Sequence, residues 1–105
     1  MAEYKETLKK DVLPKLRFYQ DFPKKGVNFL DIFSATSQPA VFDKLMLAVK
    51  KLIVTKYGAP SEGNYTHIVG LESKGFVMGP ILSLEWGLPF VAIRKKGKLP
   101  GECWQ

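Results

Sequence analysis

From Thr66 onward, apolar runs and turn residues alternate in an order that predicts strand, loop, helix and strand. Thr66 to Leu71 is short and apolar, with Ile68, Val69 and Leu71 bounded by turn residues, and has the length of a buried strand. Glu72-Ser73-Lys74-Gly75 follows without a spacer. Phe76, Val77, Met78, Ile81, Leu82 and Leu84 then recur at spacings that give a helix a wide apolar face. Gly87 suits the cap at its C-terminal end, and Pro89 keeps the helix from continuing. Phe90 to Ile93 is a second apolar run, aromatic and β-branched in character. A strand, a crossover helix and a second strand predict a right-handed βαβ unit with parallel strands.

The preceding residues read as scaffold. Between Tyr4 and Tyr19, Leu8, Val12, Leu13, Leu16 and Tyr19 recur near helical spacing, with Lys9, Lys10 and Lys15 between them. Pro14 should kink or end that helix. Phe22-Pro23-Lys24-Lys25-Gly26 is a loop by turn chemistry, and residues 27–33 read as extended. Pro39 suits the first turn of a second helix. Its apolar positions are Val41, Phe42, Leu45, Met46, Val49, Leu52 and Ile53, with Asp43, Lys44, Lys50 and Lys51 on the other face. Residues 58–64 form a polar connection to the strand. No repeat, low-complexity segment or domain boundary interrupts this order, so residues 1–105 read as one domain.

Composition narrows the class. With 105 residues, 46% of them hydrophobic, the chain can build one small core. A formal charge of +6 asks for an anionic partner, which small phosphates, nucleic acid or an acidic membrane would each satisfy. No recognition helix or aromatic-interleaved sheet supports nucleic acid. No apolar run approaches the ~20 residues of a membrane span. The single Cys103 excludes an internal disulfide framework. The charged stretch Met1 to Lys10 does not read as a secretory leader. A cytoplasmic protein is the resulting expectation. One His, one Cys and no carboxylate cluster argue against a protein-ligated transition metal, leaving His67 a structural reading and Cys103 an incidental one.

In a βαβ unit, ligands bind beyond the carboxyl ends of the strands. The loops there are Glu72–Gly75 and Arg94–Gly101. The first offers helix N-terminal N–H groups, a hydroxyl and an ammonium, the parts of a phosphate site. Gly75 would let backbone come close to a ligand. The second carries Arg94, Lys95, Lys96 and Lys98 within five residues, whose mutual repulsion an anion would relieve. From spacing alone, a solvated charge run and a plain exposed turn stand beside the phosphate-site reading.

These residues carry a resemblance. Leu71-Glu72-Ser73-Lys74-Gly75-Phe76, with Gly79-Pro80 after it, resembles the pyrophosphate-binding loop of adenine phosphoribosyltransferases. Ile93-Arg94-Lys95-Lys96-Gly97-Lys98-Leu99-Pro100-Gly101-Glu102 resembles that family's second basic loop. Asp21-Phe22-Pro23-Lys24-Lys25-Gly26-Val27-Asn28-Phe29-Leu30-Asp31-Ile32 is similar to its N-terminal adenine-side segment. The matches run in the family's order and spacing, from about Tyr19 to Glu102. The departures are specific. Lys74 stands where the family usually has Arg, losing a planar fork that suits a diphosphate. Leu30 stands where many members have Arg. The family's paired acidic residues and Thr-Gly-Gly loop, which cradle the ribose 5-phosphate, do not occur here.

The resemblance implies a parallel-sheet α/β fold, the type I phosphoribosyltransferase fold, incomplete: N-terminal helices plus the first βαβ unit. Residues 1–34 would form the adenine-side segment, and residues 35–105 the helix and βαβ unit. The implied activity is purine salvage, transfer of the phosphoribosyl group from phosphoribosyl pyrophosphate to adenine, giving AMP and pyrophosphate. The implied pyrophosphate residues are Glu72, Ser73, Lys74, Gly75, Arg94, Lys95 and Lys98, the family's dimers offering the basic loop's charge to the neighbouring subunit. Val27, Asn28 and Phe29 would lie near adenine. Glu72 would serve turn geometry or a water contact to Mg²⁺, which arrives on the substrate diphosphate. Family loops here hold a non-proline cis peptide, expected at Glu72-Ser73. The family's acid–base Glu would fall beyond Gln105, so no catalytic residue is assigned. A homodimer is implied. Without the ribose-phosphate motif, the 105 residues alone are expected to be inactive. The alternative is a truncated, non-catalytic phosphate-binding or dimerisation module.

Overall fold

The computed structural model describes residues 3–103. Its contacts fall into two compact units that divide between Gly58 and Ala59.

The first unit opens with α1 (Glu3–Thr7), which widens into a π-helical turn over Leu8–Val12 and tightens into a 3-10 turn over Leu13–Lys15. Pro14 sits at the start of that last turn, and Leu16 is already extended at φ −84°, ψ 143°. The helical spacing expected to run on to Tyr19 therefore ends early. Arg17–Tyr19 is strand β1, paired antiparallel with β2 (Phe29–Asp31) in the register Arg17↔Asp31, Tyr19↔Phe29. Proline supplies no N–H to the helical ladder, and the residues after it find their backbone partners in β2 instead. The extended reading of residues 27–33 holds over β2 only. The Asp31 carboxylate accepts the Phe33 N–H at 3.0 Å, and α2 (Phe33–Thr36) begins there.

Helix α3 (Pro39–Tyr57) has Pro in its first turn, as expected, and ends where the Gly58 N–H donates to the Val54 carbonyl at 2.9 Å. Val12, Ala35 and Val41 form the core here, with Leu8, Leu16 and Leu45 packed against it. Met46 and Ala48 are also buried, whereas Leu52, expected on the apolar face, is half exposed. Helix α3 packs on α1, the π-helical turn and α2. These contacts place α3 in the first unit.

In the second unit, β3 (Ile68–Leu71) and β4 (Phe90–Ile93) pair in parallel, in the register Ile68↔Phe90 through Leu71↔Ile93. The ladder starts two residues later than the apolar run suggested, where the Ile68 N–H donates to the Pro89 carbonyl at 2.9 Å. Helix α4 (Lys74–Trp86) connects them. It ends at Gly87, left-handed at φ 65°, ψ 33°, whose N–H returns to the Ser83 carbonyl. The Leu88 N–H donates to the same carbonyl at 3.0 Å, and the buried Ser83 hydroxyl donates to the Leu88 carbonyl.

One face of this sheet packs on α4 through Gly70 and Phe90. A β-carbon on Gly79 of α4 would fall 2.4 Å from the Phe90 ring, so only glycine lets helix and strand meet here. The opposite face presents Val69, Leu71, Val91 and Ile93, all exposed. Alternation along a strand puts these four together. Among the described residues no helix is long and apolar enough to cross a membrane.

Candidate phosphate-binding site

Because β3 and β4 are parallel and Leu71 is in register with Ile93, the loops after them leave the sheet at the same end. The Glu72 N–H donates to the Ile93 carbonyl at 3.2 Å, carrying the ladder one step further. That donor is committed, so the expected cluster of N–H groups from Glu72 to Gly75 begins at Ser73. The Glu72-Ser73 peptide is cis. Ser73 occupies the N-cap of α4, but its hydroxyl makes no capping bond. Glu72, Ser73 and Lys74 are exposed. The first turn of a helix leaves its N–H groups without intrahelical acceptors. The Phe76 N–H takes the Ser73 carbonyl at 3.1 Å. Among the described residues, the N–H groups of Ser73 and Gly75 have no acceptor. A free hydroxyl, N–H groups at a dipole's positive end and an ammonium make a site for a phosphate oxygen.

Gly75 also has a reason within the fold for being glycine, beside the expected approach to a ligand. A β-carbon there would lie 2.8 Å from the Gly70 backbone, and one on Gly70 would lie 2.5 Å from the Gly75 carbonyl oxygen. The two glycines let the start of α4 lie directly on β3, which fixes where the loop between them points.

The basic loop is shaped by a turn in which the Lys98 N–H donates to the Lys95 carbonyl at 3.1 Å, with Gly97 at φ 84°. Lys95, Lys96 and Lys98 are exposed. A cleft of about 730 Å³ lies along β4 and this loop, with Val91, Ile93 and Leu99 on its apolar side and Lys95 and Lys96 on its charged side. Arg94 is hydrogen-bonded within the fold. Its Nη2 donates to the Glu72 carboxylate at 2.8 Å, and its Nη1 donates to the Lys98 carbonyl at 3.0 Å. Its Nε is buried and has no partner among the described residues. The hydrogen bond from Arg94 holds the Glu72 carboxyl below its ordinary value of 4.5; desolvation opposes this, and the charges of Arg94 and Lys95 add to the lowering. Of the four cations whose repulsion the sequence emphasised, one is thus neutralised within the fold. Sequence reading gave Glu72 to the turn or to a metal-bound water, and Arg94 to the anion. A pairing across 22 positions leaves no local trace in the sequence.

The adenine-side residues lie in the first unit. Asp21 has φ 57° and accepts the Gly26 N–H at 2.8 Å, while the Phe22 N–H takes the Val27 carbonyl at 2.9 Å. This closes a turn around Pro23, which follows a cis peptide. Val27 is half-buried and Asn28 exposed. The Phe29 ring meets Phe22 edge-on at 5.1 Å, and Tyr19 lies 6.4 Å from Phe22. Tyr19, expected at a helical position, and Phe22, expected in a loop, therefore join Phe29 in one aromatic group. The β1–β2 pairing that brings Tyr19 opposite Phe29 was the signal missed. His67 is exposed, 2.8 Å from the Thr66 hydroxyl, and Cys103 is a free, exposed thiol. No group of three or more His, Cys, Asp or Glu side chains able to hold a metal occurs among the described residues.

No family model matches the chain. Individual relatives do. Adenine phosphoribosyltransferase of Helicobacter pylori strain Shi470 is 42% identical over 95 residues, which cover 90% of this chain and 49% of that protein. The Yarrowia lipolytica enzyme of the same name is 43% identical over 97 residues, 92% of this chain and 52% of that one. The chain spans about half the length of the curated relatives it matches. Among solved structures, adenine phosphoribosyltransferase of Saccharomyces cerevisiae, complexed with adenine and an imino-altritol bisphosphate, superposes with a TM-score of 0.80 at 40% identity. It matches 100% of this chain and 58% of its own. The Trypanosoma brucei enzyme, complexed with AMP, pyrophosphate and ribose 5-phosphate, superposes with a TM-score of 0.63 at 28% identity, over 96% of this chain and 40% of its own.

Proposed function

We propose that this chain, which matches the N-terminal part of adenine phosphoribosyltransferases, supplies the pyrophosphate side of such an enzyme's site. Its fold is the corresponding part of the type I phosphoribosyltransferase fold. The observation that carries the reading is the shared exit of the Glu72–Gly75 and Arg94–Gly101 loops from two parallel strands in register. Cationic side chains and helix N-terminal N–H groups converge there.

The reaction we propose for the whole protein joins adenine to phosphoribosyl pyrophosphate, giving AMP and pyrophosphate. As the bond between the ribose C1 and the pyrophosphate oxygen breaks, negative charge grows on the leaving group. Preorganised positive groups stabilise that change directly. Ser73 and Lys74, with the N–H groups of Ser73 and Gly75, take the leaving pyrophosphate. Lys95 and Lys98 add charge from the second loop. Mg²⁺ belongs to the substrate in this scheme, since it favours substrate phosphates over an all-protein cage. Val27, Asn28 and Phe29 form the adenine contacts, with Phe29 held by Phe22. A cytoplasmic homodimer completes the proposal.

The test is AMP formation from adenine, phosphoribosyl pyrophosphate and Mg²⁺ by this chain, purified and checked for intact mass. The expected result is no turnover from the 105 residues alone, because the family's ribose-phosphate residues do not occur in them. Turnover that Lys74→Ala abolishes would overturn that part of the reading.

A further inference from the structure

We infer that Glu72 is a positioning residue that acts through Arg94, tying the two phosphate-facing loops together and setting where Lys95 and Lys98 stand. The inference deepens the pyrophosphate reading above and rests on it for its functional consequence. It adds a task within the fold to the anion contact expected of Arg94.

Three bonds carry the argument. The Glu72 N–H reaches the Ile93 carbonyl at 3.2 Å, so the backbone places Glu72 beside the root of the second loop. From there its carboxylate takes Arg94 Nη2 at 2.8 Å. The other end of the same guanidinium reaches the Lys98 carbonyl at 3.0 Å. The guanidinium is planar and rigid, so two bonds from its two ends fix its plane and the separation of what they hold. The Lys98 N–H closes back on the Lys95 carbonyl at 3.1 Å, so holding Lys98 also holds the Lys95–Lys98 turn. The buried Nε places the head against the protein rather than out in solvent.

Ion pairs as exposed as this one add little to stability. What this pair adds is position. A carboxylate beside an anion site should, on charge alone, weaken anion binding, and deleting it should strengthen binding. A strut predicts the opposite sign, because the lysines lose their fixed places.

The experiment is a double-variant cycle on the purified chain, titrated with inorganic pyrophosphate and Mg²⁺ by calorimetry. Glu72→Ala and Arg94→Ala are each expected to weaken binding by roughly fivefold, and the double variant to bind like either single one. Glu72→Gln keeps the acceptor without the charge and should fall between wild type and Glu72→Ala. It also serves if the alanine variant does not fold. Tighter binding by Glu72→Ala or Glu72→Gln, or additive losses in the double variant, would overturn the inference. Backbone amide NMR without pyrophosphate reads the strut independently. Glu72→Ala and Glu72→Gln should shift the Lys95 to Lys98 amides, and unchanged amides there would contradict it. If wild type binds no pyrophosphate while those amides shift, the pyrophosphate reading fails and the strut stands.

Discussion

Gly75 lies against Gly70 so closely that neither has room for a β-carbon, the contacts being 2.8 Å and 2.5 Å from the other's backbone. The start of α4 is thereby seated on β3, and the loop that carries Ser73 and Lys74 is aimed by that seat. A backbone obstruction cannot swing aside as a side chain can. Gly75→Ala is therefore expected to cost about 1–3 kcal/mol, the range of overpacking in a close-packed interior. Urea unfolding followed by circular dichroism measures it. Gly63, whose β-carbon would meet nothing within 4 Å, has φ 76°, so Gly63→Ala reports backbone strain without crowding, whereas Gly75, outside the positive-φ region, reports crowding alone.

Lys74 gives a second prediction. Its point charge sits exposed at the first residue of α4. Lys74→Ala should weaken pyrophosphate binding by roughly fivefold, while Lys74→Arg should strengthen it, because a planar fork meets a diphosphate with two bonds. Isothermal titration at fixed, low ionic strength measures both. Equal affinity for all three proteins would remove Lys74 from the site.

The Glu72–Arg94 pair predicts a pH dependence with a definite sign. Arg94 holds the Glu72 carboxyl below its ordinary 4.5, so near and below that pH the folded chain binds fewer protons at this group than the unfolded one. The stabilisation is complete above 4.5 and is lost as pH falls through the lower, folded value. Arg94 and Lys95 are the cations acting on Glu72. The ¹³C shift of the Glu72 carboxyl across an acid titration follows it. A midpoint at or above 4.5 would contradict the pairing.

Among the described residues Val12 is the largest side chain that is fully buried, at 1% exposure, and it centres the core of the first unit. Val12→Ala should destabilise that unit by about 2 kcal/mol through lost burial and a residual cavity. Thermal melting monitored by circular dichroism measures this. Leu52→Ala, on the same unit but half exposed, should cost much less.

The second unit was legible from its pattern because each element there is set by neighbours in sequence. Apolar runs bounded by turn residues gave β3 and β4, and Gly87 ended α4 where a left-handed cap was expected. Pro39 likewise marked the start of α3. What escaped was decided by distant residues. Arg17-Phe18-Tyr19 looks like the tail of a helix until Phe29 to Asp31 arrives to pair with it. Gly75 looks like room for a ligand until Gly70 is seen beneath it. Arg94 looks like one of four free cations until Glu72 is found 2.8 Å away. The residue types of the candidate site are visible in the chain; which of them are committed to one another is not.

The most direct measurement is a pyrophosphate titration of the intact chain with Mg²⁺, read residue by residue from backbone amide shifts. The account predicts saturable shifts at Ser73, Lys74, Gly75, Lys95 and Lys98, weakening as salt rises. Shifts confined to the amino-terminal lysines Lys9, Lys10 and Lys15, or no saturable shift at all, would contradict it.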